Sequence, residues 1–284
     1  MRWPAAFTLA LCLFAQGVDA DILRFTAIPD ENQSRLVERF SKVADYLETR
    51  LDVEVEYVPV KSYGASVTAF RNDQVQLAWF GGLSGVQARR LVPGSVALAQ
   101  GSEDAEFKSY LIAHRSTGLE RAETLPEAIQ GMSLTFGSRT STSGRLMPEH
   151  FLRQRFEEAP EELFSRVGFS GDHSRTIALV EAGTWDLGAV NFSVWETAVE
   201  DSRVDTDKVD VIWATPPYPD YNWTVRGDVD EGFGEGFTES LRAALLEMDD
   251  PELLASFPRE SFIPADNALY APIENVAEEL GLLR

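Results

Sequence analysis

The sequence is short of the residues from which metal centres and many catalytic sites are built. Of 284 residues one is cysteine, Cys12, and three are histidine: His114, His150 and His173. One cysteine allows no disulfide framework, and an exported chain without disulfides depends on a sizeable core. The histidines show no ligand spacing, so no metal site is expected, nor any cofactor. The phosphate loop G-x-x-x-x-G-K-[ST] is missing, and so is the nucleophile elbow G-x-S-x-G. Ser141 or Ser143, His173 and Asp220 could be written down as a triad, but nothing in their spacing favours one, and an enzyme is not expected. Bases are few beside acids, 25 Lys and Arg against 46 Asp and Glu, for a formal charge of −21. So acidic a surface repels nucleic acid and anionic membranes at long range. It also repels anionic ligands, so an anion site here must win by local geometry.

Long apolar runs are missing too. The one candidate, "AAFTLALCLFA" (5–15), is too short to span a membrane. With Arg2 before it and the small-x-small "VDA" before Asp21, residues 1–20 read as a secretory signal peptide. Leu11 precedes Cys12 where a lipoprotein site wants a small residue, so Cys12 is expected to leave with the leader. Arg2 and Asp19 leave together and the charge stays at −21. The remainder is long enough for two domains of roughly 100–150 residues.

What is present is a β/α rhythm, with no internal repeat. "ILRFTAI" (22–28) reads as a strand, and Leu36, Val37, Phe40, Val43 and Leu47 follow at helical spacing. Strands at 53–60, 75–80 and 95–100 alternate with short helices at 62–72 and 83–91. A long strand at 107–115 leads to a second series: a short helix at 125–131, strand 133–136, helix 143–156, strand 166–170, helix 172–182, strand 187–190, helix 191–200 and strand 209–215. An extended piece at 221–227 precedes a helical tail with Leu241, Ala244, Leu245 and Met248 on one face. This is an α/β chain with parallel sheets. It leaves its first unit once and returns once, which predicts lobe 1 from 21–110 and 222–284, and lobe 2 from 111–221. A cleft between such lobes is the natural ligand site.

The chemistry clusters where strands run into helices. "FGSRTSTSGRLMP" (136–148) crowds the hydroxyls of Ser138, Thr140, Ser141, Thr142 and Ser143 around Gly144 at the start of a helix. Helix N-termini carry unpaired N–H groups and about half a unit of positive charge. One hydroxyl suffices for a cap; a cluster points to a bound tetrahedral oxyanion, with Gly144 letting it approach the backbone. Pro148 lies past the first turn and should remove a ladder bond or kink the helix. "FSGDHSRT" (169–176) repeats the arrangement, with Asp172 as cap and His173 as a donor facing the same cleft. "VKSYGASV" (60–67) brings Tyr63 to a helix start, and "AWFGGLSG" (78–85) a glycine pair. "IPDENQS" (28–34) and "TPPYPDYNW" (215–223) end two further strands. The sequons at Asn32, Asn191 and Asn222 read as accidental.

Together these stretches resemble the phosphonate, phosphite and phosphate ABC-transporter substrate-binding protein family. The Ser-Thr-Ser-Gly run followed by Gly-x-His is the specific part. "IPDE", "WFGG", "STSGRLMP" and "PYPDYNWTVRGD" look most like a selenate-binding branch. The resemblance implies a periplasmic type II binding fold, two α/β lobes joined by two crossover strands, a monomer working with an ABC permease and its ATPase. Ser141, Thr142 and Ser143 would hold the oxyanion, His173 would be a further donor and Tyr63 would reach in from the other lobe. Asn191, Asp220 and Tyr221 would contact the rest of the ligand. Where aminoalkyl-phosphonate binders need carboxylates, this chain has Asn191 and Ser193; Asp220 is the one acid at hand, and Tyr218 and Trp223 suggest a bulky lining. That leans toward a small inorganic oxyanion. A ligand-sensing module of the same fold is the alternative.

Overall fold

The computed structural model describes residues 22–255 and 257–283, so the proposed leader and Cys12 lie outside it. The first series runs β1 (Leu23–Ala27), α1 (Gln33–Leu51), β2 (Val55–Tyr57), α2 (Tyr63–Arg71), β3 (Leu77–Phe80), α3 (Gly82–Leu91) and β4 (Val96–Gly101). The second runs β5 (Ser109–His114), β6 (Ser133–Phe136), α4 (Met147–Phe156), α5 (Pro160–Leu163), β7 (Arg166–Phe169), α6 (His173–Glu181), β8 (Leu187–Asn191), α7 (Phe192–Glu200) and β9 (Val209–Ala214). The chain returns through β10 (Asn222–Val225), α8 (Val229–Phe233), α9 (Phe237–Leu246), α10 (Pro251–Leu254), β11 (Phe262–Pro264) and α11 (Ala271–Glu279).

Two sheets result. One is ordered β11-β4-β10-β3-β1-β2, the other β7-β6-β8-β5-β9. Strands β1, β2 and β3 run parallel, as do β6, β7 and β8, while β10 and β5 each enter their sheet antiparallel. The type II two-lobe α/β fold expected from the sequence is therefore present. Helix α1 shows how the local pattern builds it. Asn32 caps the helix by accepting from the Ser34 N–H, and Leu36, Phe40, Val43 and Leu47 are buried against the first sheet. Val37, one residue or about 100° round the helix from Leu36, stays 40% exposed and does not join that face.

Other expectations needed adjustment. The strand read over 53–60 shortens to β2, and the helix over 125–131 to one 3-10 turn, Glu127–Ile129. Trp223 does not line a cleft: its ring packs in the core of the first sheet against Phe25, Phe40, Trp79 and Phe257. Strand alternation points it to the opposite face from Asn222. The helix read over 143–156 is two pieces, a wide π turn at Thr142–Leu146 and then α4. That division accommodates Pro148. Proline cannot donate to the Gly144 carbonyl four residues back, and the Gly137 N–H donates to it instead, at 2.8 Å.

The two crossings meet as a short bridge in which Phe107 and Tyr218 exchange N–H···O bonds of 2.9 and 3.0 Å. Next to it the Asp104 carbonyl accepts from the Asp220 N–H at 3.0 Å. The Asp104 carboxylate, fully buried, takes a two-pronged bond from Arg259, Nε to Oδ2 at 2.8 Å and Nη2 to Oδ1 at 2.6 Å. Arg259 also donates to the Phe257 carbonyl at 2.7 Å. One buried ion pair thus ties the C-terminal segment to both crossings. Removing one partner of such a pair strands the other charge. Arg259→Met should therefore cost about 3–5 kcal/mol of stability in urea unfolding. Adding Asp104→Asn should recover part of that loss, and a single variant as stable as the parent would contradict this account.

Candidate functional site

The eight residues singled out from the sequence come together at the lobe boundary, and none is more than 2% exposed. The loop after β6 brings three of them. Ser141 caps the π turn by accepting from the Gly144 N–H at 2.9 Å, and its hydroxyl faces the Tyr63 phenol. Thr142 spans the lobes: its Oγ1 accepts from the Leu83 N–H at 3.0 Å and stands against the Asp220 carboxyl. Ser143 faces the Tyr218 phenol. Gly144 has a different purpose from the one read in the sequence. A Cβ there would lie 3.0 Å from the His173 ring and 3.2 Å from the Gly137 Cα, so its lack of a side chain serves protein packing.

His173 opens α6, capped by Asp172. Its N–H donates to the Asp30 carbonyl in the other lobe at 3.0 Å. The Asn191 N–H donates to its Nδ1 at 3.3 Å, which places the ring proton on Nε2. That Nε2 stands 3.5 Å from the Tyr63 hydroxyl, delivered by the first turn of α2. Burial lowers the His173 pKa to about 4, so the ring is neutral.

Asn191 ends β8 and caps α7, its Oδ1 accepting from the N–H groups of Ser193 and Val194. Its Nδ2 donates to the Tyr221 hydroxyl at 3.0 Å, which in turn donates to Asp30 Oδ2 at 2.7 Å. The Tyr221 ring stacks on Trp79 at 5.4 Å. Asp220 is the least satisfied group. Oδ1 accepts from the Gly82 N–H at 2.8 Å, while Oδ2 is buried with no hydrogen-bond partner. Burial raises its pKa to about 7, with the Thr142 hydroxyl and the Gly82 N–H pulling the other way.

Sequence reading missed Asp30 and Arg259. Asp30 sat in a stretch recognised as a strand end, and an acid just past a parallel strand was the available signal. For Arg259, in "FPRESF", no local pattern existed. The glycine pair also gained a specific use: a Cβ on Gly81 would press on Asp220 Oδ1 and Thr142 Oγ1, at 3.2 and 3.3 Å. Chemically the arrangement offers hydroxyls, N–H groups, one neutral imidazole and, on Asp220, a carboxyl oxygen without a partner. Among the described residues no group of three or more His, Cys, Asp or Glu could hold a metal.

Comparison with known proteins sets this geometry in context. The family model for periplasmic substrate-binding proteins of phosphonate ABC transporters matches residues 25–270. A probable ABC transporter phosphite-binding protein, PhnD1 of Prochlorococcus marinus, is 41% identical over 270 residues, covering 93% of this chain and 91% of that one. The structure of PhnD1 from that organism, in complex with methylphosphonate, superposes with a TM-score of 0.87 at 40% identity, over 92% of this chain and 98% of the other. A binding protein component of an ABC phosphonate transporter from Pseudomonas aeruginosa shares the fold, with a TM-score of 0.79 at 20% identity over 91% and 86% of the two chains.

The two perturbed groups act on stability with opposite sign. His173 titrates near 4 when folded against an ordinary 6.5, so its contribution is present above 6.5 and lost as pH falls toward 4. Asp220 titrates near 7 against an ordinary 3.8, so its contribution is present below about 4 and lost as pH rises through 7. Between pH 4.5 and 6.5 the two offset. In ligand-free protein, Asp220→Asn should make stability climb more steeply with pH than in the parent, and His173→Gln should make it fall, each by on the order of 2 kcal/mol across that window. Urea unfolding at several pH values measures both; parallel curves for all three proteins would refute these protonation states.

Proposed function

This chain belongs to the family of periplasmic substrate-binding proteins of phosphonate ABC transporters, and from that premise we propose that it captures a small phosphorus oxyanion that still carries a proton, phosphite or methylphosphonate. Its family consists of carriers for transport rather than enzymes. On this reading the lobes close on the ligand and present it to a membrane permease driven by an ATPase, in the periplasm. Among the described residues no helix is long and apolar enough to cross a membrane.

The observation that carries the ligand assignment is the buried, unpartnered Oδ2 of Asp220. A fully ionised oxyanion brought against an ionised carboxylate has no proton to place between them, and two buried negative charges repel strongly. An ion with one P–OH, or a dianion meeting protonated Asp220, has that proton. In either case the complex holds one hydrogen shared between ligand and Asp220, and the orphaned oxygen gains its bond. The remaining ligand oxygens face Ser141, Ser143, the His173 Nε2–H and the Tyr63 hydroxyl, with Thr142 holding the lobes together beside them. Asn191 and Tyr221 brace the wall through Asp30. Selenate, suggested by the sequence resemblance, brings no proton of its own and depends on the one Asp220 loses as pH rises through 7, and the relatives' names, which speak of phosphite and methylphosphonate, give it no support.

A thermal-shift and calorimetric series over phosphite, methylphosphonate, phosphate, selenate, sulfate and aminoethylphosphonate tests this reading, because ligand binding raises apparent stability by mass action. Phosphite or methylphosphonate should bind best. Asp220→Asn should weaken them while improving sulfate and selenate. Ser143→Ala should cost about 1–3 kcal/mol of binding. Tighter binding of sulfate or selenate than of phosphite by the unaltered protein would overturn the assignment.

A further inference from the structure

A chain of charge −21 drives anions away, yet the proposed ligand is an anion that must reach a buried point. An open groove of about 710 Å³ lies at the lobe boundary. Its lining is made of the neighbours of the site residues: Ser62 and Gly64 on either side of Tyr63, Thr140 before Ser141, and Asp172 before His173. The crossing residues Phe107, Tyr218, Asp220 and Tyr221 take no part in it.

Three exposed cations stand on this groove, Lys61, Arg139 and Arg175. Most basic side chains in this acidic protein are tied to a carboxylate, as Arg24, Arg90, Arg145 and Arg226 are. Among the described residues these three form no salt bridge. Arg139 is held by an aromatic face instead, its guanidinium 3.9 Å from the centre of the Phe169 ring. The carboxylates on the groove are Glu31 and Asp172. Glu31 is offset by Arg35 and Arg39, at 3.5 and 3.2 Å, and Asp172 accepts from the Arg175 N–H at the start of α6. On the groove itself three cations therefore stand with two acids, one of which is already paired from outside it. The N-caps of α1, α2 and α6 (Asn32, Ser62 and Asp172) also lie on it, so three helices aim their positive ends there.

We propose that this groove is an electrostatic vestibule, in which Lys61, Arg139 and Arg175 draw the anionic ligand toward the cleft against the repulsion of the whole protein. The proposal rests on the oxyanion reading above and adds residues outside that site. A field of this kind acts on the encounter, before the ligand reaches the buried donors. It raises the association rate, and added salt erases it. The dissociation rate is set by the closed site and does not depend on these side chains.

Stopped-flow mixing of the full chain with sodium phosphite, and separately with methylphosphonate, read by intrinsic tryptophan fluorescence, tests it. The triple variant Lys61→Gln, Arg139→Gln, Arg175→Gln should bind about tenfold more slowly at low ionic strength. The gap should close as salt is raised to about 0.5 M. Its dissociation rate and melting temperature should match those of the parent within error. A charge-keeping variant, Arg139→Lys with Arg175→Lys, should associate at close to the parent rate. An unchanged association rate in the triple variant, or a loss confined to dissociation, overturns the vestibule while leaving the oxyanion reading standing. No saturable signal with either anion overturns both.

Discussion

The site is organised around one carboxyl oxygen that the protein itself leaves unpaired. Asp220 sits on the segment returning from the second sheet to the first, and its two oxygens have unlike surroundings. Oδ1 is held by the Gly82 N–H, and Oδ2 has no partner although it is buried. A buried polar atom without a partner costs on the order of 1–3 kcal/mol. A cation beside it would have removed that cost. Arg259, the nearest large cation in the hinge, is committed to Asp104 on both prongs. On the proposed reading, the orphan is the point at which a ligand gains a bond that the protein does not supply.

The rest of the interface shows why closure is otherwise favourable. Helix α3 has no side chain of its own to cap it, since Gly81 precedes it. Its first two N–H groups are capped from afar, one by Asp220 and the next by Thr142 of the opposite lobe. Ser84, one residue on, donates to the Thr140 carbonyl at 3.1 Å. On the other flank the His173 N–H reaches Asp30, and Asn191 reaches the same residue's carboxyl through Tyr221. These groups would turn to water if the lobes parted, so each bond contributes a modest net amount to the closed form. The glycine pair permits the arrangement because any side chain on Gly81 would separate Asp220 from Thr142.

Much of this could be read from the chain beforehand, and the boundary between what could and could not is physical. Period and punctuation placed β1, α1, β3, β6, α6 and β8 nearly where they stand, because the helices have one buried face and a capped start and strands β3, β6 and β8 are short runs buried throughout. The hydroxyl run and the Gly-x-His could be picked out because donors crowded at a helix start exceed what capping needs. The misreadings mostly concern contacts between segments distant in sequence. Trp223 shares its strand face with Val225 while Asn222 and Thr224 share the other, so the alternation already turned its ring inward, and reading it as cleft lining gave too much weight to its place beside Asp220. Gly144 reads as space for a ligand until the His173 ring is found against it. Arg259 reads as a surface charge until Asp104 is found buried beneath it, 155 residues away.

On the proposed reading, specificity follows from closure more than from a tally of contacts. Ligands shift a two-state equilibrium only by the difference in their affinity for the two states. Any tetrahedral oxyanion can take bonds from serine hydroxyls and an imidazole N–H, in the open lobe as well as the closed one. What the closed state alone adds is the desolvated Asp220 oxygen, with its pKa near 7. An ion that shares a proton there relieves a cost the closed form would otherwise bear, so it pulls the lobes together. An ion without one would meet repulsion at the same atom once Asp220 is ionised above pH 7, so its bonds to the donors would be offset there as the lobes approach. Discrimination of this kind needs no large pocket and no new cation. It needs one carboxyl oxygen kept dry and unpartnered until the ligand arrives.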